Sequence, residues 1–314
     1  MSPGDYHVPG PQPETKSPKG KPQPWATTSV VGQPLPRVDA YDRVSGTAVF
    51  PSDVTLPDML FGAILRCPHA NARVLSVDTS AAEAMPGVRA VLSNADTEAA
   101  IRWPPGDRSN TALFDPRCKY NGDEVAAVAA ETPQEAWDAV RAIAVEYEVL
   151  PSVVDAEDAL EKGAPSVGKS GNRAGNARTY ERGDIAAGFA AADVVLDRTY
   201  RTSVELHTPM EPHGCVARWD GNRLVVWEST QGVFAVQRDM ARALGLPLAN
   251  VRVIGHYVGG GFGSKLAAGK YSVIAALLAR KTARPVKLFL TREETMVAVG
   301  NRPANRMLSL IHIS

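Results

Sequence analysis

Gly259-Gly260-Gly261-Phe262-Gly263-Ser264-Lys265 is the stretch on which the reading of this chain turns. Residues 251–254, before it, have the β-branched run of a short strand. Residues 271–281, after it, carry apolar residues at helical spacing. Glycines let a backbone approach a ligand closely and adopt positive φ, and a following helix N-terminus offers free N–H groups to anions. The loop is not a dinucleotide fingerprint, because the last glycine of GxGxxG would fall on Ser264. Nor is it a Walker loop, which needs Gly-Lys-Ser/Thr in that order. The residues alone leave two readings open: a backbone-lined anion or cofactor site, or a plain tight turn.

Outward from the loop, residues 233–244 fit an amphipathic helix stopped by Gly245, with Pro247 beyond. Residues 215–219 and 224–227 flank Asp220-Gly221-Asn222, a hairpin turn, and Trp219 and Trp227 beside it read as core or cross-strand packing. A helix over 185–192, a long strand over 194–206 and a strand over 286–290 complete a unit spanning residues 183–307.

Upstream, residues 29–151 read as a separate α/β domain. Strands are expected at 59–66, 73–77, 88–92, 124–130 and 145–149, with a short helix over 80–85. Thr132 caps a longer helix, with Pro133 at its first position and Glu135 completing a capping box. Residues 152–182, rich in Ala, Gly, Ser and Asn, form the connector. Residues 1–28 are rich in Pro, Gly, Lys and Gln and poor in apolar residues, which predicts a disordered tail. The fold class is therefore α+β (mixed α/β), in two domains.

Bulk properties narrow the function. The 314 residues are 44% hydrophobic and 22% charged, ordinary globular composition. Lys plus Arg equals Asp plus Glu at 34 each, so nothing predicts a nucleic-acid partner. No apolar run approaches the roughly 20 residues that span a bilayer. Neither a signal core nor a twin-arginine pair opens the chain, so a cytoplasmic location is expected, with export by a partner's signal left open. Cys67, Cys118 and Cys215 are far apart and form no metal spacing; buried apolar packing is their simplest reading. His207, Glu211 and His213 invite a metal triad, but Pro209 and Pro212 force an irregular path, and a hydrogen-bonded loop near a site fits better.

Several further segments share a resemblance. Gly32-Gln33-Pro34, Arg37-Val38-Asp39, Val44-Ser45-Gly46-Thr47-Ala48, Arg66-Cys67-Pro68-His69-Ala70, Met85-Pro86-Gly87-Val88 and Val145-Glu146-Tyr147-Glu148 resemble the opening and hammerhead domain of the molybdenum hydroxylase large subunit, in the xanthine dehydrogenase/aldehyde oxidase family. Met210-Glu211-Pro212-His213, Ser229-Thr230-Gln231, Val251-Arg252-Val253 and the glycine loop resemble its first cofactor-binding domain. The resemblance runs from about residue 30 to 305, closest to bacterial aldehyde-type members.

It implies an oxidoreductase that hydroxylates aldehydes or N-heterocycles with water as the oxygen donor. The cofactor would be a molybdenum–pterin in its cytosine dinucleotide form, held by hydrogen bonds rather than by metal-ligating side chains. Carried over, Gln231 donates its amide toward the metal's oxygen, and Gly260, Gly261, Phe262 and Gly263 line the cofactor. Glu211 and Leu266 are candidate site-lining residues. Purine-oxidising members place a glutamate where this chain has Leu266, which favours a less polar substrate. Iron–sulfur clusters and FAD are expected on partner subunits, because the chain has no cluster cysteine motif. No catalytic residue is assigned: the family's glutamate base falls beyond residue 314, so a truncated, inactive chain is expected. Residues 308–314 depart from the family pattern after Arg306 and read as a non-native tail, with a divergent β-like tail as the other reading. The competing functions are a nucleotide-binding module and a non-catalytic hammerhead scaffold.

Overall fold

The computed structural model describes residues 30–105, 111–168, 171–173 and 175–313, so the tail expected over 1–28 lies outside the described residues. Two compact units divide at residue 48. In the first, α1 (Ala40–Ser45) ends at a left-handed Gly46. Arg43 and Arg37 both bind the Asp39 carboxylate and hold it below its usual range.

The second unit begins with β1 (Leu60–Arg66), β2 (Ala72–Asp78), α2 (Ser80–Glu83) and β3 (Val88–Ser93). The short strands β4 (Arg102–Trp103), β5 (Thr111–Ala112) and β6 (Arg117–Cys118) precede β7 (Glu124–Ala130), α3 (Pro133–Ala142) and β8 (Ala144–Val149). Then come α4 (Ile185–Ala190), β9 (Val194–Thr202), β10 (Gly214–Asp220), β11 (Arg223–Glu228) and α5 (Val233–Ala243). The unit closes with β12 (Val251–Ile254), α6 (Lys270–Thr282), β13 (Val286–Phe289), α7 (Arg292–Val297) and β14 (Asn305–Ile313). The expected Thr132 cap is present, its hydroxyl accepting the Glu135 N–H at 3.2 Å.

Seven strands form the central sheet in the order β12-β11-β10-β13-β1-β7-β3. Alternation along β7 explains how it is covered on both faces. Ala127 and Ala129 face a core shared with α6, while Ala126, Val128 and Ala130 face one shared with α3. Small side chains there let both helices approach closely. Helix α6 is buried from Tyr271 to Ala279, the pattern of a helix surrounded by protein. Each fully buried aliphatic such as Ile274 contributes about 1.5–3 kcal/mol. All three cysteines are buried and free.

Two features go beyond the sequence reading. Segments 29–151 and 183–307 do not build separate sheets: β1 pairs in parallel with β13, Leu60 opposite Val286. A strand's own apolar pattern cannot reveal a partner more than 200 residues away, so this joint is invisible to local periodicity. Residues 305–313 also form β14, antiparallel to β9 from Asn305–Thr202 to Ile313–Val194. This ribbon includes all but the last residue of the segment expected as a non-native tail, and β9 stops at Thr202 rather than 206.

Candidate functional site

The parallel pairing of β11 with β12 positions the site. With Trp227 opposite Ile254, the C-terminal ends of both strands emerge at the same sheet edge. Ser229-Thr230-Gln231 leaves one and the glycine loop follows the other, at the end where open α/β sheets bind ligands. Antiparallel β10 starts at that end, which brings Glu211 and His213 alongside.

Gln231 is fastened to the loop through its side-chain carbonyl. Oε1 accepts the Gly263 N–H at 3.0 Å and the Lys265 N–H at 3.3 Å, and the Gln231 N–H donates to the Lys265 carbonyl at 2.7 Å. Its Nε2 makes no hydrogen bond among the described residues and is free to donate outward. The N–H groups of Gly260, Gly261 and Phe262 likewise have no acceptor among the described residues. Gly261 is required by close approach: a Cβ there would lie 2.3 Å from Gln231 Oε1. Phe262 is left-handed at φ 52° and 72% exposed. A non-glycine residue in that region costs about 1–3 kcal/mol and occurs preferentially at functional sites.

A cleft of about 320 Å³ opens beside the loop. Trp103, Tyr120 and Glu124 line one side; Ser264, Leu266 and Tyr271 are among the residues on the other. Leu266 is 57% exposed, and Trp103 and Tyr120 add aromatic surface to the cleft.

The sequence-derived candidates separate on inspection. Gln231 lies against Gly261, its Nε2 and the N–H groups of Gly260, Gly261 and Phe262 have no acceptor among the described residues, and Leu266 lines the nearby cleft. Gly263 lines the cleft, but its N–H is already donated to Gln231 Oε1. Glu211 is buried beneath the loop, where Oε2 accepts the Gly259 N–H and the Ser229 hydroxyl, each at 2.8 Å. Helix α6 begins at Lys270, five residues past the loop lysine, so the free donors belong to the loop itself rather than to a helix N-terminus.

No group of three or more His, Cys, Asp and Glu among the described residues can hold a metal. His213 instead contacts the Ser264 hydroxyl at 3.0 Å, and burial lowers it to about 4, so the ring stays neutral near pH 7. Ser264 in turn donates to the Gly261 carbonyl at 2.7 Å. Sequence reasoning missed this His213–Ser264–Gly261 relay of hydrogen bonds. It also missed the fully buried Lys265, whose position in a glycine loop suggests a phosphate-facing cation.

Below the site, Glu228 is fully buried and accepts the Ser272 hydroxyl at 2.7 Å. Burial pushes its carboxyl from an ordinary 4.5 up to about 7. The native protein therefore keeps a proton that the unfolded chain releases, so this group's stabilisation is fully present below about pH 4.5 and is lost as pH rises toward 7. Glu228→Gln is expected to flatten the decline in unfolding midpoint between about pH 5 and 7. An unchanged slope would assign that decline to other groups.

Two family models match. Residues 45–151 match the aldehyde oxidase and xanthine dehydrogenase a/b hammerhead domain, and residues 169–309 match the molybdopterin cofactor-binding domain. The chain is 35% identical to the nicotinate dehydrogenase large molybdopterin subunit of Eubacterium barkeri, over 87% of this chain and 64% of that one. It is also 35% identical to the aldehyde oxidoreductase molybdenum-binding subunit of Escherichia coli (strain K12), over 88% of this chain and 37% of that one. Among solved structures, CO dehydrogenase from Oligotropha carboxidovorans superposes with a TM-score of 0.80 at 31% identity, covering 90% of this chain and 37% of that one. Quinoline 2-oxidoreductase from Pseudomonas putida 86 gives 0.77 at 30% identity, covering 87% and 36%. The chain thus spans less than two thirds of the length of each of these relatives.

Proposed function

We propose a molybdenum hydroxylase function from one premise: this chain belongs to the xanthine dehydrogenase/aldehyde oxidase family and corresponds to its molybdopterin-binding large subunit. The observation that carries the proposal is a set of neighbouring donors with no acceptor among the described residues. Three loop N–H groups, at Gly260, Gly261 and Phe262, stand beside a glutamine whose carbonyl end is held and whose amide end is free. Such a surface suits an oxygen-rich, anionic group and needs no metal-ligating side chain. The residues present therefore fit the family's molybdenum–pterin cofactor, for which we infer the cytosine dinucleotide form.

When bound, that cofactor supplies two-electron oxidation coupled to transfer of an oxygen atom derived from water. The chain's own residues bind and orient. Gln231 Nε2 would donate toward the cofactor, and the loop N–H groups would fix its position and screen its charge. Leu266, Trp103 and Tyr120 put apolar surface into a cleft that Glu124, His213 and Lys270 also line, and Leu266 in place of a glutamate supports aldehydes or less polar N-heterocycles as substrates. None of the residues described is assigned as the base. Iron–sulfur and FAD-binding subunits would carry the electrons away. We infer a cytoplasmic location; among the described residues no helix is long and apolar enough to cross a membrane.

The nucleotide-phosphate alternative loses its cation, because the Lys265 side chain is wholly buried and its ammonium is taken by the Glu211 carbonyl and the Ser229 hydroxyl. Gln231→Ala in the complete subunit is expected to cut turnover about 10- to 100-fold with little change in unfolding midpoint. It removes one donor worth about 1–3 kcal/mol in a desolvated site. Turnover equal to wild type would mean that this glutamine does not face the reacting centre.

A further inference from the structure

We propose that Lys265 and Glu211 are a buried positioning pair that sets the glycine loop and Gln231 in their ligand-ready geometry; the functional part of this rests on the cofactor reading above. Lys265 is among the largest fully buried side chains, at 0% exposure. Burying an ammonium is costly unless its donors are met. Here Nζ donates to the Glu211 carbonyl at 2.7 Å and to the Ser229 hydroxyl at 2.6 Å, and it lies 3.7 Å from Glu211 Oε2. Burial still pulls the ammonium down to about 8, against the attraction of Glu211.

The pair fastens both ends of the loop. At the start, Glu211 Oε2 accepts the Gly259 N–H at 2.8 Å while the Glu211 N–H donates to the Gly259 carbonyl at 3.1 Å. At the end, the Lys265 carbonyl accepts the Gln231 N–H at 2.7 Å and the Thr230 hydroxyl at 2.9 Å. Ser229 links the two charges, accepting from Lys265 and donating to Glu211 at 2.8 Å. Between the clamped Gly259 and Lys265, the N–H groups of Gly260, Gly261 and Phe262 have no acceptor among the described residues. It also orients Gln231, whose Oε1 is claimed by the loop.

Stability alone does not account for this arrangement. A buried ion pair adds little net stability compared with apolar groups of the same shape, and here its hydrogen bonds reach both ends of the loop. A lysine directed at ligand phosphate would leave its ammonium accessible; this one is fully buried and held by Glu211 and Ser229.

The test uses the whole chain without cofactor. Amide exchange and the Gln231 side-chain NH₂ resonances are followed by NMR in Lys265→Met and in Ser229→Ala, which keeps both charges but cuts the link. The expected result in each is at least about tenfold faster exchange at Gly259 and Gly263, and shifted Gln231 NH₂ signals, since local opening is freed from the global unfolding reaction. Exchange at Val216 and Ile274 in the core should not change. Should Lys265→Met fail to fold, Ser229→Ala decides. Loop exchange and Gln231 signals equal to wild type would overturn the proposal. So would faster exchange spread evenly through β10 and α6, which marks a merely structural lysine. Because no cofactor is present, a chain that never binds molybdopterin would refute the functional reading without touching this result.

Discussion

Arg66→Met is expected to lower the unfolding free energy by about 3–5 kcal/mol, the cost of leaving buried charges without their partner. Arg66 stands at the end of β1, in the hammerhead segment. Its Nε donates to Glu294 in α7 at 2.6 Å, and its Nη1 to the Gly122 carbonyl at 2.8 Å and to Glu124 at 3.1 Å. Lys270, at the start of α6, binds Glu124 at 2.9 Å and Asp123 at 3.0 Å. The network thus connects the two family-model segments beneath the sheet joint, with Arg66 and its two carboxylates nearly buried. Methionine matches the stem but leaves Glu294 without a cation in contact and Gly122 without its donor. Chemical denaturation of the chain measures the loss. Arg73→Met serves as the control, because its pair with Glu148 is exposed and should matter by less than about 1 kcal/mol. Equal small effects from both would mean that the buried network does not hold the segments together.

Gly261→Ala should have the largest effect on function and a small one on folding. The new methyl would lie 2.3 Å from Gln231 Oε1 and 2.6 Å from its Cδ. Those atoms are the far end of a flexible side chain, so the clash resolves by swinging Gln231 away rather than by moving backbone. The variant therefore loses both Gln231 contacts to the loop and the oriented amide. Loss of preorganised donors around developing charge lowers rates by about 10²–10³. Turnover of the complete subunit on an aldehyde should fall by that factor, with the unfolding midpoint of the chain little changed. Wild-type turnover would show that this face of the loop does not meet the reacting centre.

Much of the local structure was legible because it is written in local periodicity. Residues 124–130 and 251–254 read as strands and are strands to the residue, and Thr132 was recognisable as a cap. Of the site, the loop's ability to present backbone donors followed from glycine chemistry, whereas Gln231 looked neutral until the resemblance singled it out. What remained hidden depends on long-range partners. The parallel joint of Leu60 with Val286 leaves no trace in either strand's own pattern. The inward turn of Glu211 and Lys265 is equally silent, since the same residue types could face a ligand. The Ser229 hydroxyl, the Gly259 N–H and the Glu211 carbonyl, all placed by the fold, decide their direction.

On the proposed function, the N–H groups of Gly261 and Phe262 hold the molybdenum–pterin cofactor. Amide hydrogen exchange at Gly261 and Phe262, compared between cofactor-loaded and cofactor-free forms of the complete subunit, tests it most directly. The account predicts exchange slowed at least about tenfold at both amides on loading, as acceptors on the ligand satisfy them. Stoichiometric molybdenum with unchanged exchange at Gly261 and Phe262 would contradict it.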